Sequence, residues 1–393
     1  MSEEIRDELR ALARDLLGKA PSGREADWRR LAGAGWLGLE VPGALDGEDA
    51  TFAETAVIAA ELGRAAAASP YLGTVVLGAG TLNLLEPVPG RDELLRDIAN
   101  GQAVVTVALP DSDADGTVAL PDHDADGTVA LPDHDADGTV PYGDDGGTVP
   151  FRLERRAGQP DGFQLHGQAA FIPDAAEAGH LLLLARDPDG TPVIAVIGPG
   201  EAGLSVTPQP VLDQTRRLAL VTANGVGVSA DAVWRFADEP QACVRRLLDR
   251  AAVAVACDSL GVAGAMLDAT VGYARIREQF GRPIGSFQAV KHACADMLVQ
   301  VSVARELVAA AAQRLAEDAP GDPATSVAAS MAKSYACAAA VDVAGKAMQL
   351  HGGMGYTWEA GIHVFLKRAA LNRSLAGSPA AHRRRLAERY RAG

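Results

Sequence analysis

Apolar residues recur at helical spacing through the first hundred residues. The first stripe consists of Ile5, Leu9, Leu12 and Leu16, which are three or four positions apart and so share one helix face. A second helix is predicted around Trp28–Ala34, and an alanine-rich third helix over Phe52–Ala68, entered through Asp49 and Thr51. Residues 1–102 are therefore predicted to form an N-terminal α-helical domain.

The pattern changes to short β-rich runs between residues 103 and 238. Gly, Pro and Asp separate these runs at short intervals, which is typical of an antiparallel β domain. The runs are Ala103–Leu109, Phe163–Leu165, His180–Leu184, Val193–Ile197 and Leu218–Ala223.

Long alanine-rich helical patterns return in residues 239–393. They cover Arg245–Ile276, Phe287–Glu317, Pro323–Leu350 and Ile362–Leu375. Long helices with short connections indicate an up-and-down bundle. We therefore expect an α+β multidomain protein with an N-terminal α-helical domain, a middle antiparallel β domain and a C-terminal four-helix bundle.

Composition and charge argue against several classes of function. The formal net charge of −15 argues against nucleic-acid binding, because a phosphate backbone requires a basic face. The four cysteines are scattered without metal-ligand spacing, so neither a disulfide nor a metal site is expected, and a cytoplasmic location fits. The charged start of the chain is expected to form an amphipathic helix rather than a signal peptide, and no membrane span is expected.

An acidic tandem repeat occupies about residues 107–150. Copies begin at Val107, Val118 and Val129, 11 residues apart, and a degenerate fourth copy lies near Val140. The segment Asp111–Gly116 is similar to the first half of a calcium-binding loop, but the flanking helices of an EF-hand are absent and overlapping loops could not all bind metal at once. An acidic surface insertion is the favoured interpretation, and calcium binding is the alternative.

Two later segments carry the strongest functional signal. Tyr273–His292 and Gln349–Tyr356 resemble the two C-terminal signatures of the acyl-CoA dehydrogenase family, whose members are flavoproteins. The resemblance extends over the whole chain and matches its order of helical, β and helical domains. It implies FAD as the cofactor and a tetramer, since FAD is completed across a subunit boundary in this family.

The resemblance also implies which residues hold the neighbouring subunit's FAD. They are Arg277, Phe280, Gln288, Gln349, Gly352 and Gly353. An arginine fork matches pyrophosphate oxygens, a phenylalanine can lie against adenine, and glycines permit close backbone approach. Taken singly, an arginine on a helix is usually solvated and a glycine pair usually ends a helix. Because they occur together and in the order typical of the family, the interpretation that they bind FAD is favoured.

The middle domain departs from the family pattern. Where the family has a threonine whose hydroxyl lies near flavin N5, this chain has Pro173, which offers neither a hydroxyl nor an N–H. Phe171 is still expected to cover one face of the flavin ring. The loop that covers flavin and thioester in the family follows Ala108–Pro110 and is replaced here by the acidic repeats.

The catalytic base is the sharpest departure. Removal of the α proton of an acyl thioester needs a desolvated carboxylate, and the family's usual glutamate position is occupied by Ala376. The resemblance assigns Ser378, two residues on, to the cofactor. A second position used by some members falls near Ala251. Asp258 is two helical turns from Ala251 on the same face and is a candidate for a substitute base, with a capping or solvent contact as the alternative. Asp249 is two residues from Ala251 and therefore on roughly the opposite side of the helix.

Three functions remain open from the sequence. The favoured one is an FAD-dependent acyl-CoA dehydrogenase subunit of fatty acid metabolism that lacks a base and works in a heterotetramer with a glutamate-bearing homologue. The second is an active homotetrameric dehydrogenase with a displaced base. The third is a flavin oxidase, monooxygenase or non-redox scaffold on the same fold. The expected partners are an acyl-CoA or acyl-carrier-protein thioester and an electron-transferring flavoprotein as acceptor.

Overall fold

The computed structural model describes residues 3–18, 25–110, 149–156, 162–357 and 360–391. The acidic repeats from 111 to 148 lie outside the described residues, and with them the calcium-binding alternative. Within the described ranges no group of three or more His, Cys, Asp or Glu side chains could hold a metal ion. All four cysteines are free thiols, and Cys294 is the least buried of them.

The N-terminal region is helical, as predicted. Its helices are α1 (Glu3–Leu17), α2 (Trp28–Gly33), α3 (Phe52–Arg64), α4 (Gly80–Leu82) and α5 (Pro89–Ala99), and a π-helical segment, Leu72–Ala79, leads into α4. Thr51 and Glu54 form a reciprocal capping box that starts α3. Helix α1 buries Ala13 and Leu17, whereas Leu12 of the predicted stripe is 63% exposed.

The middle region is one eight-stranded sheet. Its strands are β1 (Val105–Ala108), β2 (Phe151–Arg155), β3 (Gly162–Pro173), β4 (His180–Arg186), β5 (Pro192–Ile197), β6 (Leu204–Gln209), β7 (Leu218–Ser229) and β8 (Val233–Trp234). The order is β6-β7-β3-β2-β4-β5-β8, with β1 also paired to β4. Most neighbouring strands are antiparallel, as predicted, but the sheet is mixed, since both β1 and β2 run parallel to β4.

The C-terminal region contains the long helices α6 (Pro240–Ile276), α7 (Gln288–Glu317) and α8 (Pro323–His351), followed by α9 (Ile362–Ser374) and α10 (Pro379–Arg391). A short hairpin of β9 (Glu278–Gln279) and β10 (Arg282–Pro283) joins α6 to α7. Helix α6 is central, because it packs against α3, α7, α8 and α9.

Helix α6 is also long and apolar enough to cross a membrane by length and composition. Its most apolar stretch is 78% buried inside the protein, where it forms the core between the N-terminal helices and the bundle. Within the described ranges it is the single helix that meets this test.

Glycines allow α6 to approach α3 closely. A Cβ added at Gly261 would lie 1.8 Å from the carbonyl oxygen of Ala60, and one at Gly63 would lie 2.1 Å from the carbonyl oxygen of Asp258. No side chain fits in either place without moving a helix backbone. This contact joins the N-terminal region to the bundle beside the site described next.

Candidate functional site

An apolar cavity of about 240 Å³ lies where the three regions meet. The π-helical segment, β1, β3, α6, α9 and α10 each contribute to its wall. The lining residues are Leu72, Leu77, Val107, Leu109, Pro110, Ala170, Phe171, Ile172, Pro173, Leu248, Ala251, Val255, Leu371, Ser374, Leu375, Ala376 and Arg385. Ala376 and Ala251, which occupy the two base positions of the family pattern, therefore line one cavity.

The described lining contains no carboxylate. Its single charged residue is Arg385, on α10, and Ser374 is the other polar one. An alanine methyl cannot accept a proton, so no described side chain of the wall can act as a base toward a ligand in this cavity.

Asp258 does not take the role of the missing base, and that prediction is corrected. It lies outside the cavity wall, 4% exposed, with Arg368 Nη2 at 2.6 Å and Arg216 Nη2 at 3.0 Å from its Oδ2. Asn372 Nδ2 donates to its Oδ1 at 2.6 Å. Although burial acts in the opposite direction, the two guanidinium groups and these hydrogen bonds lower the pKa of Asp258 to about 2. A carboxylate that stays ionised between two arginines stabilises the fold and is a poor proton acceptor.

Asp249 lies away from the cavity, as its helical spacing indicated. It is absent from the wall, and its carboxylate accepts a hydrogen bond from Ser326 Oγ at 2.5 Å. Burial raises the pKa of Asp249 to about 6.

The turn that carries Ala376 is held by side chains from two helices. Lys333 of α8 is fully buried, and its Nζ donates to the carbonyl oxygens of Gly377 at 2.7 Å and Asn372 at 3.0 Å. His382 of α10 donates from Nε2 to the carbonyl oxygen of Ala376 at 2.9 Å. Ala376 itself has φ of 54°, in the left-handed region that non-glycine residues seldom adopt. These contacts fix residue 376 as part of the cavity wall.

His382 is neutral in this position. Burial lowers its pKa to about 3, since charging a buried imidazole is unfavourable. Because Nε2 donates to the Ala376 carbonyl, Nδ1 is the acceptor, and Ser330 Oγ donates a hydrogen bond to it over 3.2 Å.

On the β side, Phe171 and Pro173 line the cavity at an irregularity in β3. The register with β7 shifts between Ala169 and Ile172, and Phe171 has φ of 57°. The Phe171 N–H donates to Gln209 Oε1 at 2.7 Å, and the ring is 40% exposed. Residue 173 offers no hydrogen-bond donor to a ligand, because proline has neither an N–H nor a hydroxyl. Its carbonyl oxygen accepts a hydrogen bond from Thr106 Oγ1.

Ser378 has a structural contact of its own. Its Oγ accepts from the N–H of Ala381 in the first turn of α10, which is an N-terminal capping contact. It is not part of the described cavity wall, and its assignment to a cofactor stays a prediction.

The signature segments come together at one end of the bundle. Arg277, Phe280 and Gln288 are exposed between the end of α6 and the start of α7. Gln349, Gly352 and Gly353 are exposed at the end of α8. The rings of Tyr273 and His351 stack at 4.5 Å between centroids and so join the two segments.

The backbone at the glycine pair is open to the outside. Gly352 has φ of 58° and ψ of −138°, which strongly favours glycine. A Cβ at Gly352 or Gly353 would meet no atom within 4 Å. Together with the exposed guanidinium of Arg277 and the 93% exposed Phe280, this surface fits the adenine and pyrophosphate half of a dinucleotide.

This end is distant from the cavity of the same chain. Ala251 and Tyr273 both lie on α6, 22 residues apart, which corresponds to roughly 33 Å along the helix axis. An adenine and pyrophosphate group bound at these segments would therefore lie far from the cavity of the same chain.

Two features of the site were missed by sequence reasoning. Arg385 lies on α10, a helix that was not predicted because its sequence is strongly basic and has no apolar stripe. Lys333 lies within the predicted alanine-rich helix Pro323–Leu350, where no local pattern distinguishes a buried lysine from an exposed one. The run of three arginines, 383–385, was the one available signal for Arg385.

Comparison with family models gives a match at each end of the chain. Residues 1–101 match the acyl-CoA dehydrogenase N-terminal domain, and residues 242–391 match the acyl-CoA dehydrogenase C-terminal domain.

Individual relatives agree with these matches. The acyl-CoA dehydrogenase IpdE2 of Mycobacterium tuberculosis is 30% identical, over 92% of this chain and 86% of its own length. A solved variant of the Tcur3481-Tcur3483 steroid ACAD is 27% identical over 98% of this chain and 97% of that chain, with a TM-score of 0.78. The ChsE4-ChsE5 complex from Mycobacterium tuberculosis has the same fold, with a TM-score of 0.81 over 100% and 99% of the two chains at 24% identity.

Proposed function

Because the chain belongs to the acyl-CoA dehydrogenase family of oxidoreductases, we propose that it is the base-deficient subunit of a heteromeric FAD-dependent acyl-CoA dehydrogenase. In this proposal a glutamate-bearing homologue removes the α proton of the acyl thioester. The observation that carries the proposal is the cavity wall, where Ala376 and Ala251 occupy both expected base positions.

The chain's own residues have two roles in this proposal. Arg277 pairs with the pyrophosphate of the partner's FAD, and Gln349 with Gly352 and Gly353 supplies a close backbone surface for its adenine end. The bound flavin supplies the acceptor for the hydride that leaves the β carbon. The distance along α6 supports cofactor completion in a neighbouring subunit, because these residues are far from the cavity of their own chain.

Two relatives support a partner of a different sequence. The ChsE4-ChsE5 complex and the Tcur3481-Tcur3483 steroid ACAD each combine two differently named polypeptides. A steroid-derived acyl thioester is therefore the first substrate class to test beside straight-chain acyl-CoAs. An electron-transferring flavoprotein is the electron acceptor to include.

The test is expression of this chain alone and together with a glutamate-bearing homologue. We expect the two chains to co-purify with FAD and the flavin absorbance to bleach on addition of a thioester, whereas this chain alone shows no bleaching. Bleaching of the isolated chain would contradict the proposal in favour of a homomeric enzyme. Oxygen consumption by the isolated chain with flavin turnover would instead indicate an oxidase, and lack of FAD in both preparations would indicate a scaffold.

A matched pair of variants tests the cross-subunit role. Arg277→Gln in the complex is expected to lower the FAD retained per complex severalfold, since a charge-assisted contact to pyrophosphate is lost. Arg275→Gln removes a neighbouring exposed arginine outside the signature and is expected to leave FAD content unchanged. Equal FAD retention in Arg277→Gln and the parent complex would contradict the assigned role of Arg277.

A further inference from the structure

The stacked rings of Tyr273 and His351 connect the two segments to which the FAD contacts were assigned. Their planes are inclined by 18°, and their centroids lie 4.5 Å apart. Tyr273 is four residues before Arg277 at the end of α6, and His351 directly precedes Gly352 at the end of α8. The contact is therefore close in the chain to both the arginine and the glycine pair.

The backbone of Arg277 is fixed relative to Tyr273. Its N–H donates to the Tyr273 carbonyl oxygen at 2.9 Å, and its own carbonyl oxygen accepts from the N–H of Ile284 at 2.8 Å. Gly285 approaches the same turn of α6, where an added Cβ would lie 2.8 Å from the Ala274 carbonyl oxygen. The hairpin of β9 and β10 is therefore folded back on the end of α6, and a displacement of Tyr273 displaces Arg277.

The ring of His351 is fixed on the other side of the contact. His351 is 8% exposed, and its Nδ1 lies 2.7 Å from the carbonyl oxygen of Ala347, one turn earlier in α8. Because a carbonyl oxygen only accepts, Nδ1 carries a proton and donates it. The N–H of Gly352 bonds to the Gln349 carbonyl oxygen and caps the same helix end. The imidazole and the start of the glycine pair are therefore held by one turn of α8.

A dinucleotide that contacts both segments requires a fixed separation between them. Arg277 and the two glycines are exposed and belong to the ends of different helices. Ordering such segments before binding lowers the conformational cost of binding. A stacked aromatic pair favours one relative placement of its two rings and stabilises it beyond the area that it buries. The stack therefore supplies the order that the cofactor contacts need.

We propose that Tyr273 and His351 are positioning residues for the FAD of the partner subunit. Their stack sets the separation between Arg277, which faces the pyrophosphate, and the glycine pair at the adenine end. They act through Arg277 and the glycines rather than by touching the cofactor. This inference rests on the proposed function, because it concerns the same cofactor contacts.

Titration of FAD into the deflavinated co-expressed complex, followed by flavin fluorescence, tests the proposal. Tyr273→Leu and His351→Leu are each expected to raise the Kd for FAD about three- to tenfold, which is the factor that a stacked aromatic pair is worth. Tyr273→Phe keeps a stacking ring and is expected to keep the parent affinity. The double leucine variant is expected to weaken FAD no further than either single variant, because the two rings form one contact.

Tyr335→Leu is the matched control for loss of packing. Tyr335 is a partly buried tyrosine of α8 that packs against the main core. It lies 16 residues before His351, which corresponds to roughly 24 Å along the helix. This variant is expected to lower the thermal unfolding midpoint of the complex and to leave the Kd for FAD unchanged. A purely structural role of Tyr273 would give that same result in Tyr273→Leu.

Four outcomes overturn the positioning role. They are an unchanged Kd in Tyr273→Leu, a loss of affinity in Tyr273→Phe as large as in Tyr273→Leu, additive losses in the double variant, and an equal loss in Tyr335→Leu. A parent complex that never binds FAD would contradict the proposed function itself. A parent complex that binds FAD with an affinity insensitive to both rings would contradict the positioning role alone, so the two failures are distinguishable.

Discussion

The buried carboxylate of Asp258 holds several parts of the structure together. This one carboxylate lies between Arg368 and Arg216, and Arg368 also donates to Thr215 Oγ1 at 2.6 Å and to the Ala67 carbonyl at 3.0 Å. Asp258 belongs to α6, Arg368 to α9 and Arg216 to the loop before β7. The cluster therefore connects the helical bundle, the sheet and the N-terminal region through buried charges.

Asp258→Asn is predicted to destabilise the protein strongly. The substitution leaves two buried guanidinium groups beside each other without their shared counter-charge, and breaking a buried pair in this way costs about 3–5 kcal/mol. Denaturant unfolding measures the change. Asp268→Asn, which removes a surface pair with Arg64, is the control and is expected to cost under about 1 kcal/mol. Similar losses in both variants would contradict the structural role of Asp258.

His382→Gln is predicted to reduce the pH dependence of stability. The pKa of His382 is lowered from 6.5 to about 3 on folding, so the unfolded chain binds more protons between these values. Stability from this group is therefore full above pH 6.5 and is lost as pH falls toward 3, by up to about 1.4 kcal/mol per pH unit. A glutamine amide can donate to Ala376 and accept from Ser330 without titrating. Unfolding midpoints from pH 4.5 to 7.5 measure the difference, and parallel curves would contradict it.

The position of a single residue in the fold can be predicted from sequence where a motif fixes it. Ala376 was located by its distance from the glycine signature, and the structure places it on the cavity wall beside Ala251. Asp258 was judged by helix face alone, and its partners Arg368 and Arg216 are 110 and 42 residues away in the chain. Local periodicity gives no information on such distant pairs, so the salt bridges that lower the pKa of Asp258 could not be foreseen.

The packing of α3 on α6 determines how the N-terminal region meets the bundle. Gly63 and Gly261 let the two backbones approach more closely than side chains permit. Helix α6 also carries Ala251 and Val255 of the cavity wall, so a shift of this helix changes the cavity.

Gly261→Ala is predicted to destabilise the protein despite the better helix propensity of alanine. Its Cβ would lie 1.8 Å from the Ala60 carbonyl and 2.6 Å from the Arg64 nitrogen, both backbone atoms, so the helices must separate. Overpacking of this kind costs about 1–3 kcal/mol. Gly272→Ala on the same helix meets no atom within 4 Å and is expected to stabilise by about 0.5–1 kcal/mol. Opposite signs in thermal unfolding are the expected result, and stabilisation by both would contradict close packing at Gly261.

Elements were predictable where their pattern was long or strongly apolar. The four long C-terminal patterns and the buried strands β1, β4 and β5 were recognised. Strand β6 was missed because its exposed edge position leaves few buried apolar residues, and β2 because only two of its five residues are buried. The parallel pairing of β1 and β2 with β4 is a property of topology, which alternation of side chains does not encode.

In the assembled chain, the signature segments themselves carry several exposed apolar side chains. Ile276 is 78% exposed, Phe280 93%, Tyr356 73% and Met354 49%. Exposed apolar patches of this kind mark interaction surfaces. Their position around Arg277 and the glycine pair supports a subunit boundary at the cofactor contacts, as the proposed function requires.

Phe280→Asp is predicted to disrupt the assembly. Aromatic residues at the centre of an interface contribute most to binding, and a carboxylate there must be desolvated without a partner. Light scattering after size-exclusion chromatography is expected to show a lower mass and reduced FAD content. Leu212→Asp is the control, because Leu212 is 82% exposed in the loop between β6 and β7 and is not part of either signature segment. If Phe280→Asp keeps the parent mass, or if Leu212→Asp lowers it equally, the interface does not lie at the signature end of the bundle. A loss of mass confined to Phe280→Asp would show that cofactor contacts and assembly share one surface.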